Sequence, residues 1–108
     1  DSGVFNPTGY GFIGSAKGME TIQAVGKLLD PIKAGEIKKG CRGADVLKLI
    51  VGGVPAMHLE VDREKYFWYH HTDADTTDKL NPAEFNRCVA SMAVMAYVVA
   101  DLPKPLAR

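Results

Sequence analysis

The sequence lacks most of the features that assign a chain to a class at a glance. Its only cysteines are Cys41 and Cys88, with no C-x-x-C spacing, which excludes a disulfide scaffold and leaves free buried thiols as the expectation. Neither charge is in excess, with 13 Lys and Arg against 13 Asp and Glu. That balance argues against a nucleic-acid partner and against attraction to an anionic membrane. The longest apolar run, C-V-A-S-M-A-V-M-A-Y-V-V-A at 88–100, is shorter than the roughly 20 residues a bilayer demands. A helix apolar nearly all round is expected there instead, buried against a sheet and neighbouring helices. There is no internal repeat, low-complexity segment or apolar targeting segment, and the chain opens on D-S-G-V-F without Met. The expectation is part of a longer gene product.

What is present suits one α/β domain. With 46% hydrophobic and 24% charged residues, a chain of this size is expected to bury roughly two thirds of its unfolded surface. Residues 1–10, punctuated by Gly3, Asn6, Pro7 and Gly9, read as a strand end followed by a loop. Ser15 is a candidate N-cap for a helix running to about Leu29, with Met19, Ile22, Val25 and Leu29 at helical spacing and Pro31 closing it. A short strand is expected at 36–38, a loop at G-C-R-G (40–43), and then a short helix over 46–51 capped by Asp45. After Pro55, Met57, Leu59 and Val61 alternate with His58 and Glu60, the period of a half-buried strand. The four aromatics Tyr66, Phe67, Trp68 and Tyr69 are expected to form a further short strand or a packed segment. Asn81, Pro82 and Glu84 stand at N-cap, N1 and N3 of the last helix, a capping-box arrangement. That helix ends near Asp101, leaving 103–108 as a tail.

The chemistry is concentrated at residues 69–80, Y-H-H-T-D-A-D-T-T-D-K-L. Neutral imidazole binds zinc well, and a nearby carboxylate can accept the other ring N–H and fix the tautomer. Adjacent histidines on an extended backbone point to opposite sides, so at most one of His70 and His71 is expected to be a ligand. Asp73, Asp75, Thr77, Leu80 and Glu84 also fall on EF-hand loop positions. However, Asp78 stands where that loop needs Gly, and the capping box already explains the end of the match. His58 reads as a polar-face strand histidine, and Cys41 as an incidental thiol.

The stretch H-T-D-A-D-T followed by D-K-L-N-P resembles a motif of the two-zinc aminopeptidases and carboxypeptidases, and most of all their carboxypeptidase-Q-like members. D-S-G at Asp1, G-A-D at Gly43, G-V-P at Gly53, Y-F-W-Y-H-H at Tyr66 and A-Y-V-V-A-D at Ala96 resemble that family in the same order. The resemblance implies the C-terminal part, over 1–102, of a three-layer α/β/α sandwich with a mixed sheet. It implies Asp1 as the carboxylate ligand of one zinc and His71 as the imidazole ligand of the other. Asp75 is a candidate supporting carboxylate by its proximity alone, and the resemblance implies that Gly43 and Asp45 line or brace the substrate pocket. Cys41 and Arg42 stand where many relatives are more uniformly Gly-rich.

In such enzymes two zinc ions polarise the peptide carbonyl and share a water, assisted by a glutamate general base. The general base and the remaining ligands would precede Asp1 in the family order, so the isolated chain is expected to be inactive. The other expected partners are a peptide substrate and the missing N-terminal part of the same catalytic domain, with a homodimer left open. The family implies a secreted or lysosomal location. The competing reading is a non-catalytic interaction domain on the same fold.

Overall fold

Strand β1 (Pro7–Ile13) is the centre of the sheet in the computed structural model, which describes residues 3–108. It lies within and beyond the stretch whose glycines and proline had suggested a loop. Those glycines have a different cause. A Cβ on Gly9 would lie 1.9 Å from the Glu36 backbone oxygen, and one on Gly11 would lie 2.2 Å from Cε1 of His58 and 2.6 Å from the Gly40 oxygen. Glycine in a strand here marks close approach by neighbours, and β-propensity misses it.

The remaining elements follow as α1 (Ala16–Gly26), a 3-10 helix (Lys27–Ile32), β2 (Glu36–Lys39), α2 (Leu47–Val51), β3 (Ala56–Val61), α3 (Tyr66–Tyr69), a 3-10 turn (Thr77–Lys79) and α4 (Pro82–Ala100). The strands order as β2-β1-β3, with β1 parallel to β2 and antiparallel to β3. The sheet is therefore mixed, as an α/β fold of this kind requires.

Register decides which face is core. Tyr10 pairs with Ile37 and Leu59, and Phe12 with Met57, so these side chains share one face. There they meet Ile22, Val25 and Leu29 from the first helical segment and Met95 from α4. Full burial of one such side chain contributes about 1.5–3 kcal/mol. Gly9, Gly11, His58 and Glu60 share the other face, over which the 40–44 loop passes. The described residues thus form the sheet and one helical layer of a sandwich.

Several local expectations need correction. α1 ends at Gly26 and tightens into the 3-10 helix, which holds Pro31 within it. Residues 103–108 are not a loose tail, because Leu106 packs on the core and the Ala107 carbonyl accepts a 2.8 Å hydrogen bond from the Ser15 hydroxyl. The same Ser15 oxygen accepts from the Gly18 N–H at 3.1 Å, so the cap also anchors the C-terminal segment. Asp45 is exposed and caps nothing. Val46 holds the N-cap position of α2 without a side-chain bond, because Asp45 stands one residue too early to reach the first-turn N–H groups.

The aromatic run forms the single turn α3, neither strand nor core. Only Tyr66 is buried, while Phe67 and Trp68 are 75% and 60% exposed. Asn81 does cap α4, accepting from the N–H groups of Ala83 at 2.9 Å and Glu84 at 3.3 Å. The Glu84 carboxylate leaves the box open and accepts from Asn6 Nδ2 at 3.0 Å instead. Nor is α4 buried all round: Cys88, Ser91 and Met95 face inward, whereas Val89 and Met92 are more than half exposed. No helix among the described residues is long and apolar enough to cross a membrane. Both cysteines are free thiols.

Candidate metal and substrate site

The His-rich loop starts where α3 stops. The His70 N–H closes the turn onto the Tyr66 carbonyl at 3.0 Å, and His71 then takes a left-handed backbone, with φ of 57°. Such a conformation is uncommon outside glycine and costs about 1 kcal/mol or more, so surrounding bonds must hold it. Thr72 supplies them. Its N–H and its hydroxyl both donate to the Tyr69 carbonyl, at 3.0 and 2.7 Å, and its oxygen accepts from the Ala74 N–H at 3.2 Å.

The left-handed residue changes what the histidine pair can do. On an extended backbone the rings would diverge, but here their centroids are 4.0 Å apart and tilted by 55°. His70 also stacks on Tyr66 at 4.5 Å, and its Nε2 lies 3.2 Å from the Tyr66 hydroxyl. The expectation that the two imidazoles face opposite sides is therefore overturned.

His70 and Asp75 line one small hollow together with Gly3, Tyr69 and Lys79. His71 is exposed beside it and is not among its lining residues. Beyond Asp75, the Asp78 carboxylate accepts from Lys79 and from the Thr76 hydroxyl. These bonds hold its carboxyl below the usual carboxylate range, the Lys79 bond contributing most.

A second, wider depression adjoins the first, because Gly3 and Val4 line both. Gly43 lines it beside Arg42, His58 and Arg63, whereas the exposed Asp45 does not. Asp1, the other expected zinc ligand, lies outside the described residues. The structure thus brings His70 and Asp75 to one hollow beside Gly3, leaves His71 exposed next to the His70 ring, and separates Asp45 from both hollows.

Sequence reasoning missed one polar cluster here. One terminal guanidinium nitrogen of Arg42 donates to both carboxylate oxygens of Glu60 at 2.8 Å, and Glu60 also bonds His58 Nε2 at 2.9 Å. The Arg42 backbone N–H lies 3.4 Å from His58 Nδ1. The alternation of β3 put His58 and Glu60 on one face, but nothing local announced that Arg42 would cross to them.

Imidazole and carboxylate are donor types that zinc accepts. Among the described residues, however, no three His, Cys, Asp or Glu groups come together as a site for a metal ion. These residues therefore offer part of a donor set, and no catalytic step through a metal follows from them.

No protein-family model matches the chain. Carboxypeptidase Q of Rattus norvegicus is 40% identical to it over 108 residues, covering 100% of the chain and 23% of that relative. Over its whole length the chain is similar to carboxypeptidase Q. The carboxypeptidase Q of Homo sapiens is 38% identical and that of Xenopus laevis 36%, with the same coverage. A solved structure described as a peptidase M28 precursor from Shewanella amazonensis SB2B superimposes with a TM-score of 0.87 at 28% identity, matching 100% of the chain and 25% of that protein. The chain thus shares the fold of the matched part of that peptidase M28 precursor and spans about a quarter of the length of these relatives.

Proposed function

We propose that this chain is part of a two-zinc exopeptidase that hydrolyses dipeptides or short peptides, and that it is inactive without the rest of its domain. Similarity along the whole chain to carboxypeptidase Q carries the reading. The loop supports it, since the His70 and His71 rings lie 4.0 Å apart and His70 shares a hollow with Asp75. Bound zinc would supply a Lewis acid and an acidified water.

In this reading His71 is the imidazole ligand and Asp1 the carboxylate ligand of the second ion. Tyr66 and Thr72 orient the histidine pair. Asp75 accepts from a ligand imidazole or its neighbour, and Gly43 leaves backbone room for a peptide. Asp45 then acts at a distance, through the 40–53 loop. Two ligands from this chain cannot hold two ions tightly, so the general base and the other ligands come from elsewhere in the polypeptide. A secreted or lysosomal location belongs to the same proposal.

The test is metal analysis of the protein as naturally made, together with a dipeptide hydrolysis assay. Two zinc ions per chain and chelator-sensitive hydrolysis are expected. A protein that holds no zinc and cleaves no dipeptide would be a non-catalytic interaction module on the same fold. Zinc-dependent turnover by these 108 residues alone would overturn the predicted inactivity.

A further inference from the structure

Asn6 is held by groups that come from far along the chain. Its side-chain Nδ2 donates to the Glu84 carboxylate at 3.0 Å, and its Oδ1 accepts from Nη1 of Arg87 at 2.7 Å. Its backbone oxygen accepts from the Asp62 N–H at 2.8 Å, just past the end of β3. One residue earlier, the Phe5 carbonyl accepts from the Cys88 thiol at 3.0 Å. A carboxylate only accepts and a guanidinium only donates, so an amide is the side chain that serves both at once. Both of its bonds are charge-assisted, the stronger kind, and Glu84, Arg87 and Cys88 all belong to the first turns of α4.

The place of Asn6 in the fold gives this clamp a consequence. Gly3, Val4 and Phe5, directly before it, form one wall of the small hollow that His70, Asp75 and Leu80 line from the other side. The second wall belongs to the loop that runs into α4 through the Asn81 cap. Helix α4 is therefore the common base of both walls: the loop reaches it along the chain, and the 3–5 segment reaches it through Phe5 and Asn6. Gly3 adds little rigidity of its own, because its φ of 77° is one of many backbone states open to glycine. The hold at Phe5 and Asn6 has to supply the order that Gly3 does not.

We infer that Asn6 is a positioning residue: clamped between Glu84 and Arg87, it sets where the 3–5 segment stands against the His-rich loop, and with it the shape of the hollow they share. Beside Pro7, Asn6 reads in the sequence as turn punctuation, and its partners lie 78 and 81 residues away. Asp1, which the proposed function makes a zinc ligand, stands two residues before Gly3 in the sequence. Under that reading the same clamp fixes the spacing between Asp1 and His71. This last step rests on the proposed function, and the clamp on the hollow does not.

The experiment is a double-variant cycle in the protein as naturally made. Asn6→Asp keeps an acceptor for Arg87 but turns a second acceptor toward the Glu84 carboxylate. Adding Glu84→Gln restores a donor, because the introduced amide can donate to the introduced carboxylate. Cys88 reports on the clamp, since its thiol is 2% exposed and bonds the Phe5 carbonyl. Its alkylation by a maleimide, read by peptide mass spectrometry, should quicken about tenfold in Asn6→Asp and return to within about twofold of wild type in the double variant. Zinc affinity, measured by chelator competition, should weaken about tenfold in the single variant and recover in the double. A contact that served stability alone would lower the melting temperature and leave labelling and zinc affinity at wild-type values, which would overturn the inference. A double variant no better than Asn6→Asp would overturn it too. If Asn6→Asp does not fold, Asn6→Ala removes both bonds without the repulsion and must move the same readouts. Labelling of Cys88 needs neither zinc nor turnover, so a coupled cycle in a protein that binds no zinc keeps the clamp and removes the zinc reading.

Discussion

Tyr10 on the central strand and Ser91 on the last helix share a buried hydrogen bond, with Oη and Oγ 2.9 Å apart. They are 81 residues apart in sequence, and Ser91 has no exposed surface. A serine inside an apolar helix face is thus explained by one partner across the core. Tyr10→Phe strands the Ser91 hydroxyl, and the penalty for an unmet buried group is about 1–3 kcal/mol. Ser91→Ala added to Tyr10→Phe should recover part of that loss, since replacing both partners removes the unmet group. Urea unfolding of the two single variants and the double variant in the natural protein checks this, and strict additivity would refute the coupling.

The same pair predicts an alkaline limit. Burial pushes the Tyr10 phenol above its ordinary value of 10.0, and the Ser91 hydrogen bond only partly offsets it. The folded state therefore holds the Tyr10 proton more tightly than the unfolded state. Its contribution to stability is fully present below about pH 10 and is lost as pH rises through the higher folded value. The stability difference between wild type and Tyr10→Phe, followed by denaturant titration from pH 8 to 11, should narrow above pH 10. A difference that stays constant would show no such linkage.

Gly9 tests the packing of the central strand. A Cβ at 1.9 Å from a backbone oxygen cannot be relieved by a side-chain rotation, so Gly9→Ala must push β1 and β2 apart. We expect a loss of about 3 kcal/mol or more, at the upper end for overpacking. Thermal unfolding of the variant measures it. Gly40→Ala offers a contrast, because a Cβ there meets nothing within 4 Å and the strain comes only from its φ of 113°.

Under the proposed zinc reading, the two histidines respond differently to substitution. His71→Ala should lower bound zinc by about one ion per chain and kcat/KM by about 100-fold or more. Asp75→Asn should cost about 10- to 100-fold, the usual range for a group that orients a ligand. His70→Ala should leave the metal count unchanged. Metal analysis of the three proteins decides, and full zinc content in His71→Ala would assign the ligand elsewhere.

Much of the fold was legible because its signals are local. The caps at Ser15 and Asn81, the alternation from Met57 to Val61 and the helical spacing from Met19 to Val25 are complete within a few residues, and the structure follows them. The assignment of His71 as a zinc ligand rests on resemblance to relatives and that of Asp75 on its proximity in the sequence, and geometry adds only that the two imidazoles are adjacent and that Asp75 shares a hollow with His70. Exposure of Phe67 and Trp68 could not be read in this way, because whether an aromatic is covered depends on what stands opposite it.

The His-rich loop thus divides the two kinds of information. By itself, the sequence determined that imidazoles and carboxylates would be concentrated there, between an aromatic turn and a capped helix, since side-chain type and turn chemistry belong to the residues themselves. Only the tertiary structure decided that β1 is the central strand, that Arg42 reaches Glu60 and that a left-handed His71 brings its ring to within 4.0 Å of the His70 ring. The reason is physical: the pairing of β1 with β2 and β3 and the contact of Arg42 with Glu60 join residues distant in the chain, so no window of a few residues contains both sides, while the handedness of His71 is one of several backbone states its local sequence allows, held here by the Thr72–Tyr69 bonds.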